Sequence, residues 1–267
     1  MDADVDTDQA AVLAERDGDG VLTVTFNRPE RRNGWNEELG EAYYARLAEA
    51  ALDPSVRAVV VTGAGRTFCP GADMRRLEGL SAEGEQAPHT PVDVPRAFPK
   101  PLIAAINGGC AGIGLVQALF CHVRFAAEGV RFSTAFARRG LIAEYGLAWT
   151  LPRLVGTENA LDLLLSGRTF DAAEAHRLGL VSRVVPAAEL LAAARAYAGD
   201  LARNSSPRAM AVIAEQVRAA ADSTYDEALE RSYELMDRFV GSADMREGVA
   251  SFVERRPARF APLEPPA

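Results

Sequence analysis

The chain has 267 residues, 48% of them apolar, enough to bury a substantial core as one large domain or as a main domain with a smaller appendage. Its formal net charge of -8 argues against broad binding to nucleic acid or to an anionic membrane, while leaving room for a local arginine cluster that holds a phosphate. No apolar run approaches the ~20 residues of a membrane span, and the acidic start MDADVDTDQA lacks the basic and apolar regions of a secretory signal, so the expected location is the cytoplasm.

VLTVTFNRP (21–29) alternates and ends in Asn-Arg-Pro, which predicts a strand running into a loop where Arg28, Arg31 and Arg32 cluster. EELGEAYYARLAEAAL (37–52) has helical spacing and stops before Pro54. RAVVVTGAG (57–65) is a β-branched strand followed by glycines, and KPLIAAINGGCAGIG (100–114) repeats that transition before LVQALF continues as a helix. VRFAAEGVRFST (123–134) holds two short strands. After about residue 187 the pattern is almost entirely helical, with AELLAAARAYAGDLARN (188–204) the clearest case; the expected division is a core over 1–200 and a helical section over 201–267. SAEGEQAPHTPVDVP (81–95), rich in Pro, Glu and small residues, reads as a surface loop or lid rather than a domain linker. Cys69, Cys110 and Cys121 form neither a CxxC pair nor a His-containing metal spacing, so they are expected as packed, reduced thiols, without a structural zinc.

FCPGADM (68–74) and NGGCAGIG (107–114) each deliver main-chain N–H groups at a helix start, where they lack an intrahelical partner and the dipole favours negative charge. Facing each other, two such ends would bind an oxyanion; alone, each is a tight turn. Neither is a complete GxGxxG or GxxxxGK[ST] phosphate motif. Asp73, just inside the first helix start, is expected to cap it. In GLIAEYGLAW (140–149), Glu144 is the one charge in a glycine-punctuated apolar stretch. Burying an unpaired carboxylate is costly and raises its pKa, so Glu144 either faces water, caps the helix beginning near Gly146, or is held for proton transfer. Tyr145 beside it is expected to pack. His89, His122 and His176 are isolated from any nucleophile motif, which disfavours covalent catalysis.

Taken together, FNRPERRNGWN, FCPGADM, KPLIAAINGGCAGIG, RRGLIAEYGLAWTLPRLVG, LLSGRTFDAAEAHRLGLVSRVV and EGVASFVERRPARF, spread from about Val21 to Phe260, resemble the enoyl-CoA hydratase/isomerase, or crotonase, superfamily. The resemblance implies an α/β (α+β) fold, a spiral of repeated β-β-α units with a C-terminal helical section used in trimer packing, and a coenzyme A thioester as ligand. It places the two oxyanion-binding amides at Ala72 and Ile113. A bulky aliphatic residue at the second position is common in the isomerases of the family, and the donor is main chain.

The same resemblance maps the two glutamates of typical hydratases onto Val116 and Phe136, neither of which can exchange a proton. Glu144 falls where the enoyl-CoA isomerases that move a double bond from the 3 to the 2 position carry their single acid/base carboxylate. One base suffices for that reaction, and apolar neighbours such as Ile142 and Leu147 would keep it basic. The resemblance puts the cluster of Arg28, Arg31 and Arg32 where family members contact the coenzyme, Arg28 and Arg32 being the expected contacts, the alternative for each being a solvated loop. Phe136 and Trp149 are expected to line the acyl pocket or core, and FVERRPARF resembles the segment that approaches the coenzyme from a neighbouring subunit. The expected function is thus a 3-enoyl-CoA to 2-enoyl-CoA isomerase. The alternatives are hydration or another reaction on the same enolate, and a non-catalytic acyl-CoA-binding subunit. No metal or redox cofactor is implied, coenzyme A being part of the substrate. The expected partners are an acyl-CoA thioester and further copies of the chain, as a trimer or hexamer.

Overall fold

The computed structural model describes residues 10–75, 78 and 91–264. Among them the strands are β1 (Val12–Arg16), β2 (Val21–Phe26), β3 (Ala58–Gly63), β4 (Thr67–Cys69), β5 (Leu102–Ile106), β6 (Gly109–Ala111), β7 (Val123–Ala127), β8 (Arg131–Ser133), β9 (Phe170–Asp171) and β10 (Arg183–Val185). They form a six-stranded sheet, ordered β1-β2-β3-β5-β7-β10, and a four-stranded sheet, ordered β4-β6-β8-β9. Pairing is parallel except in the β1–β2 hairpin and between β8 and β9.

The chain order explains the architecture. β3, β5 and β7 enter the large sheet in turn, and after each one the chain crosses to the small sheet as β4, β6 and β8. Each circuit advances one strand in both sheets, and the helix Ile113–Phe120 closes the circuit made by β5 and β6. This is the expected spiral of β-β-α units in a mixed α/β fold. Every residue of β3 and β5 is buried, so both read as continuous apolar runs, as parallel strands covered on both faces must.

Helix Glu37–Leu52 lies where its spacing predicted. The Asn36 side chain accepts the Leu39 N–H at 3.0 Å, and Leu39, Tyr43, Leu47 and Ala50 form its buried stripe. Its C-terminal end is closed by Lys100, only 2% exposed, whose Nζ donates to the carbonyls of Ala50 (2.6 Å) and Asp53 (2.7 Å) and sets a cation at the negative end of the helix dipole.

Helix Leu190–Asn204 packs on β2, β3, β5 and β7 and belongs with the core, so the boundary expected at 200/201 falls inside it; the outer helical section begins at Pro207. Its helices are Pro207–Ala220, Tyr225–Phe239 and Ala243–Glu254. Arg57 ties this section back by donating to the carbonyls of Ala202 (3.1 Å) and Phe260 (2.7 Å). All three cysteines are free and buried, and burial pushes the Cys69 and Cys121 thiols up to about 12. The loop expected at 81–95 lies outside the described residues as far as residue 90; Val94–Ala97 form a 3-10 turn. No helix among the described residues is long and apolar enough to cross a membrane.

Candidate active site

The loop between β2 and helix Glu37–Leu52 is organised by Asn33, a buried residue with φ of 59°. Its side chain accepts the Arg28 N–H (2.9 Å) and donates to the carbonyls of Ala64 (3.0 Å) and Thr67 (2.6 Å), which locks the arginine-bearing turn onto the start of β4. The loop then delivers Trp35 alongside residues 71–73. Trp35 N–H donates to the Gly71 carbonyl and Asp73 N–H to the Trp35 carbonyl, both at 2.8 Å, as a one-residue parallel bridge opposite Ala72. Hydrogen-bonding groups alternate sides along an extended chain, so the Ala72 N–H points away from Trp35. It has no partner among the described residues.

The second amide comes from the start of helix Ile113–Phe120. Gly112 adopts φ 51° and ψ -127°, donates to the Ser133 carbonyl at 3.2 Å, and provides no capping side chain. The first closing bond of the helix runs from Val116 N–H to the Gly112 carbonyl (3.1 Å), which leaves the Ile113 N–H at the open end. The Ile113 side chain is buried in the core. The bulky residue therefore does not block its own amide. The two loops touch through their main chains: a Cβ on Gly112 would lie 3.6 Å from the Gly71 Cα, and one on Gly71 would lie 3.4 Å from the Ala111 oxygen. The structure thus brings together the peptide units on which sequence reasoning placed the two donors.

Glu144 sits half-buried in a turn ahead of helix Leu147–Val155, a turn made possible by left-handed backbone at Tyr145 (φ 55°) and Gly146 (φ 73°). Gly146 is the N-cap, and no side chain among the described residues caps this helix; Glu144 contributes only its carbonyl, to Leu147 N–H at 3.0 Å. The capping alternative for its carboxylate is thereby removed. Among the described residues the carboxylate has no hydrogen-bond or ion-pair partner, and burial alone pushes its pKa above the ordinary glutamate value. Leu147 is buried as expected, whereas Ile142 is 80% exposed and shields little. Val116 and Phe136 are both buried apolar side chains.

The other expected residues differ in their partners. Arg28 donates to the Gly34 carbonyl and reaches Asp73 at 3.5 Å, while Arg31 grips the same carboxylate through Nε (3.3 Å) and Nη2 (2.8 Å). Asp73 also accepts the Arg75 N–H at 3.1 Å, which fits its capping role, and the Arg31 bond holds it below the usual carboxylate range. Arg32 is exposed and its side chain has no partner among the described residues. Trp149 is half-buried, with the guanidinium carbons of Arg153 and Arg96 at 3.9 and 4.9 Å from a ring centroid. His122 accepts the Leu102 N–H, His176 lies 3.1 Å from the Val181 carbonyl, and His89 is outside the described residues.

Sequence reasoning missed a polar contact behind the site. Gln117 Nε2 donates to the Tyr44 hydroxyl (3.0 Å) and the Val92 carbonyl (3.1 Å), joining helix Ile113–Phe120 to helix Glu37–Leu52 and to the segment after residue 90. A buried glutamine in an otherwise apolar helix was the available signal.

Main-chain N–H groups left open at a helix start, and a partly desolvated carboxylate with no partner among the described residues, are groups of the kind that serve proton transfer on carbon next to a carbonyl. The comparisons agree with that class. Residues 16–262 match the model of the family described as enoyl-CoA hydratase/isomerase. The chain is 35% identical over 254 residues to the 1,2-epoxyphenylacetyl-CoA isomerase of Escherichia coli (strain K12), covering 90% of this chain and 95% of that one. Among solved structures, an enoyl-CoA hydratase from Polaromonas sp. JS666 superposes with a TM-score of 0.86 at 31% identity, covering 93% of this chain and 99% of that one. The enoyl-CoA hydratase EchA12_1 from Mycobacterium marinum is 50% identical with a TM-score of 0.70, covering 80% of this chain and 100% of that one. The chain belongs to the enoyl-CoA hydratase/isomerase family.

Proposed function

We propose that this acyl-CoA-processing enzyme is a 3-enoyl-CoA to 2-enoyl-CoA isomerase, working in the cytoplasm as a trimer or hexamer, with Glu144 as its single proton shuttle. The observation that carries the reading is the isolation of that carboxylate: it is half-buried, has no partner among the described residues and has its pKa raised, while the alternative acid/base positions Val116 and Phe136 are apolar.

In this reading the thioester oxygen rests against the N–H groups of Ala72 and Ile113. Ionised Glu144 takes a proton from C2, the electron pair of that C–H bond becomes part of a dienolate, and negative charge builds on the oxygen facing the two amides. Glu144 then returns the proton to C4, leaving the double bond between C2 and C3. No net proton or water is consumed. Amides already fixed by the protein lose little reorganisation energy when the charge develops, and one such donor is worth about 2.7–4 kcal/mol. Phe136 and Trp149 would line the acyl side. Arg32, whose side chain has no partner among the described residues, would meet a coenzyme phosphate. Exposed Ile213, Met236, Val249 and Phe252 give the outer helices an apolar surface for neighbouring copies.

The hydratase names of several relatives favour hydration as the second reading. Incubation with a 3-enoyl-CoA separates the two: conjugated 2-enoyl-CoA formed as the direct product supports isomerisation. If 3-hydroxyacyl-CoA forms from 2-enoyl-CoA at a comparable rate, hydration is the activity. No turnover of either thioester, together with binding, would leave a non-catalytic subunit.

A further inference from the structure

We propose that Asp73, held by Arg28 and Arg31, is a positioning residue that aims the Ala72 amide, so these two arginines serve the oxyanion site from within the protein and not by holding the coenzyme. The inference rests on the role given above to that amide.

The Ala72 N–H shares its peptide plane with the Gly71 carbonyl, and the two groups of a trans peptide point in opposite directions. Trp35 N–H, bonded to the Gly71 oxygen at 2.8 Å, therefore fixes one edge of the plane whose other edge faces the substrate. That bond alone leaves the plane free to swing, because Gly71, at φ 114°, sits where glycine alone moves easily. The far side of Ala72 must be held as well, and Asp73 does so. Its N–H is bonded to the Trp35 carbonyl, and its carboxylate is gripped by Arg31 at two points and by Arg28 at one. Arg28 also donates to the Gly34 carbonyl, next to Trp35, so one loop clasps both flanks of Ala72. The carboxylate sits 10% exposed between side chains that are 15% and 34% exposed, so these pairs are shielded and geometrically defined.

Charge and geometry make opposite forecasts, which allows a sharp test. Neutralising Asp73 leaves two guanidinium groups uncompensated near a developing enolate, so a purely electrostatic role predicts faster turnover in Asp73→Asn. A positioning role predicts slower turnover, because misplacement of about 1 Å can cost on the order of 10²-fold. Asp73→Asn, Arg31→Gln and the double variant are assayed on whichever acyl-CoA the wild type converts, and their affinity for free coenzyme A, which has no thioester carbonyl, is measured by calorimetry. The expected result is a fall in kcat of about 10- to 100-fold for Asp73→Asn, a smaller fall for Arg31→Gln because Arg28 still holds the carboxylate, and a double variant no slower than Asp73→Asn alone. Affinity for coenzyme A stays at the wild-type value. Unchanged or raised kcat in Asp73→Asn overturns the proposal, and so does weakened coenzyme A binding matching the loss of turnover. If Asp73→Asn does not fold, Arg31→Gln decides by the same criteria. A wild type that hydrates instead of isomerising removes the isomerase reading and leaves this test in force.

Discussion

Gly71 and Gly112 meet backbone to backbone, with the Cβ position of Gly112 3.6 Å from the Gly71 Cα. They are remote in sequence and belong to successive circuits of the spiral, one following β4 and the other following β6, and these strands pair in the small sheet. Parallel pairing ends both strands at the same edge. The N–H groups of Ala72 and Ile113, the oxyanion donors of the proposed reaction, lie at that edge.

The same closeness makes Gly114 intolerant of a side chain. A Cβ there would lie 2.2 Å from the main-chain oxygen of Cys69, so Gly114→Ala must push helix Ile113–Phe120 away from β4. The expected cost is about 1–3 kcal/mol of stability, typical of an overpacked core, with turnover falling further than the loss of folded protein explains. Urea denaturation and kinetics on the folded fraction check both parts.

Glu144 sets a pH dependence whose sign is fixed by burial. If Glu144 is the base, as proposed above, it works when ionised, so kcat/KM is expected to fall as pH drops through its folded pKa, with this acid limb above the position of an ordinary glutamate. Because the folded protein binds the proton more readily than the unfolded chain, wild-type stability is lost as pH rises through the window between the two pKa values. Glu144→Gln removes this dependence. Its melting temperature is expected to equal or exceed the wild-type value at neutral pH, and the advantage to vanish in acid. Thermal melts of both proteins across that pH range test the sign.

Lys100 is expected to matter for stability and not for turnover. Lys100→Met leaves the carbonyls of Ala50 and Asp53 without the charged donor they now share. A loss of about 1.5–3 kcal/mol is expected, the usual worth of a hydrogen bond to a charged group, with kcat unchanged. Chemical denaturation alongside steady-state kinetics reports both.

The parts of the fold carried by local pattern were legible. β3 and β5 announced themselves as unbroken β-branched or apolar runs, helix Glu37–Leu52 by spacing, and β7 and β8 by the turn at Gly129. β1 was missed because it is a hairpin edge with Leu13 exposed and no clean alternation. Which helices pack on the sheet was not legible, because amphipathic spacing is the same for a helix packed on a sheet and for one on the periphery; only the folded chain shows Leu190–Asn204 against β2, β3, β5 and β7. In the site, the glycines marked both loops, and Glu144 was conspicuous as a charge among apolar neighbours. The partner of the arginine cluster was not legible, since Asp73 lies 45 residues beyond Arg28 and nothing local links them. Gln117 escaped notice for the same reason: its value depends on Tyr44 and Val92, which only the folded chain brings to it.

The direct measurement is turnover of a 3-enoyl-CoA by purified wild type and by Glu144→Gln, following the conjugated thioester as it forms. A positioned general base typically contributes about 10²- to 10⁴-fold. A loss in kcat of that size, with substrate still bound and the variant still folded, is the expected result. Conversion by Glu144→Gln at the wild-type rate would contradict the central claim.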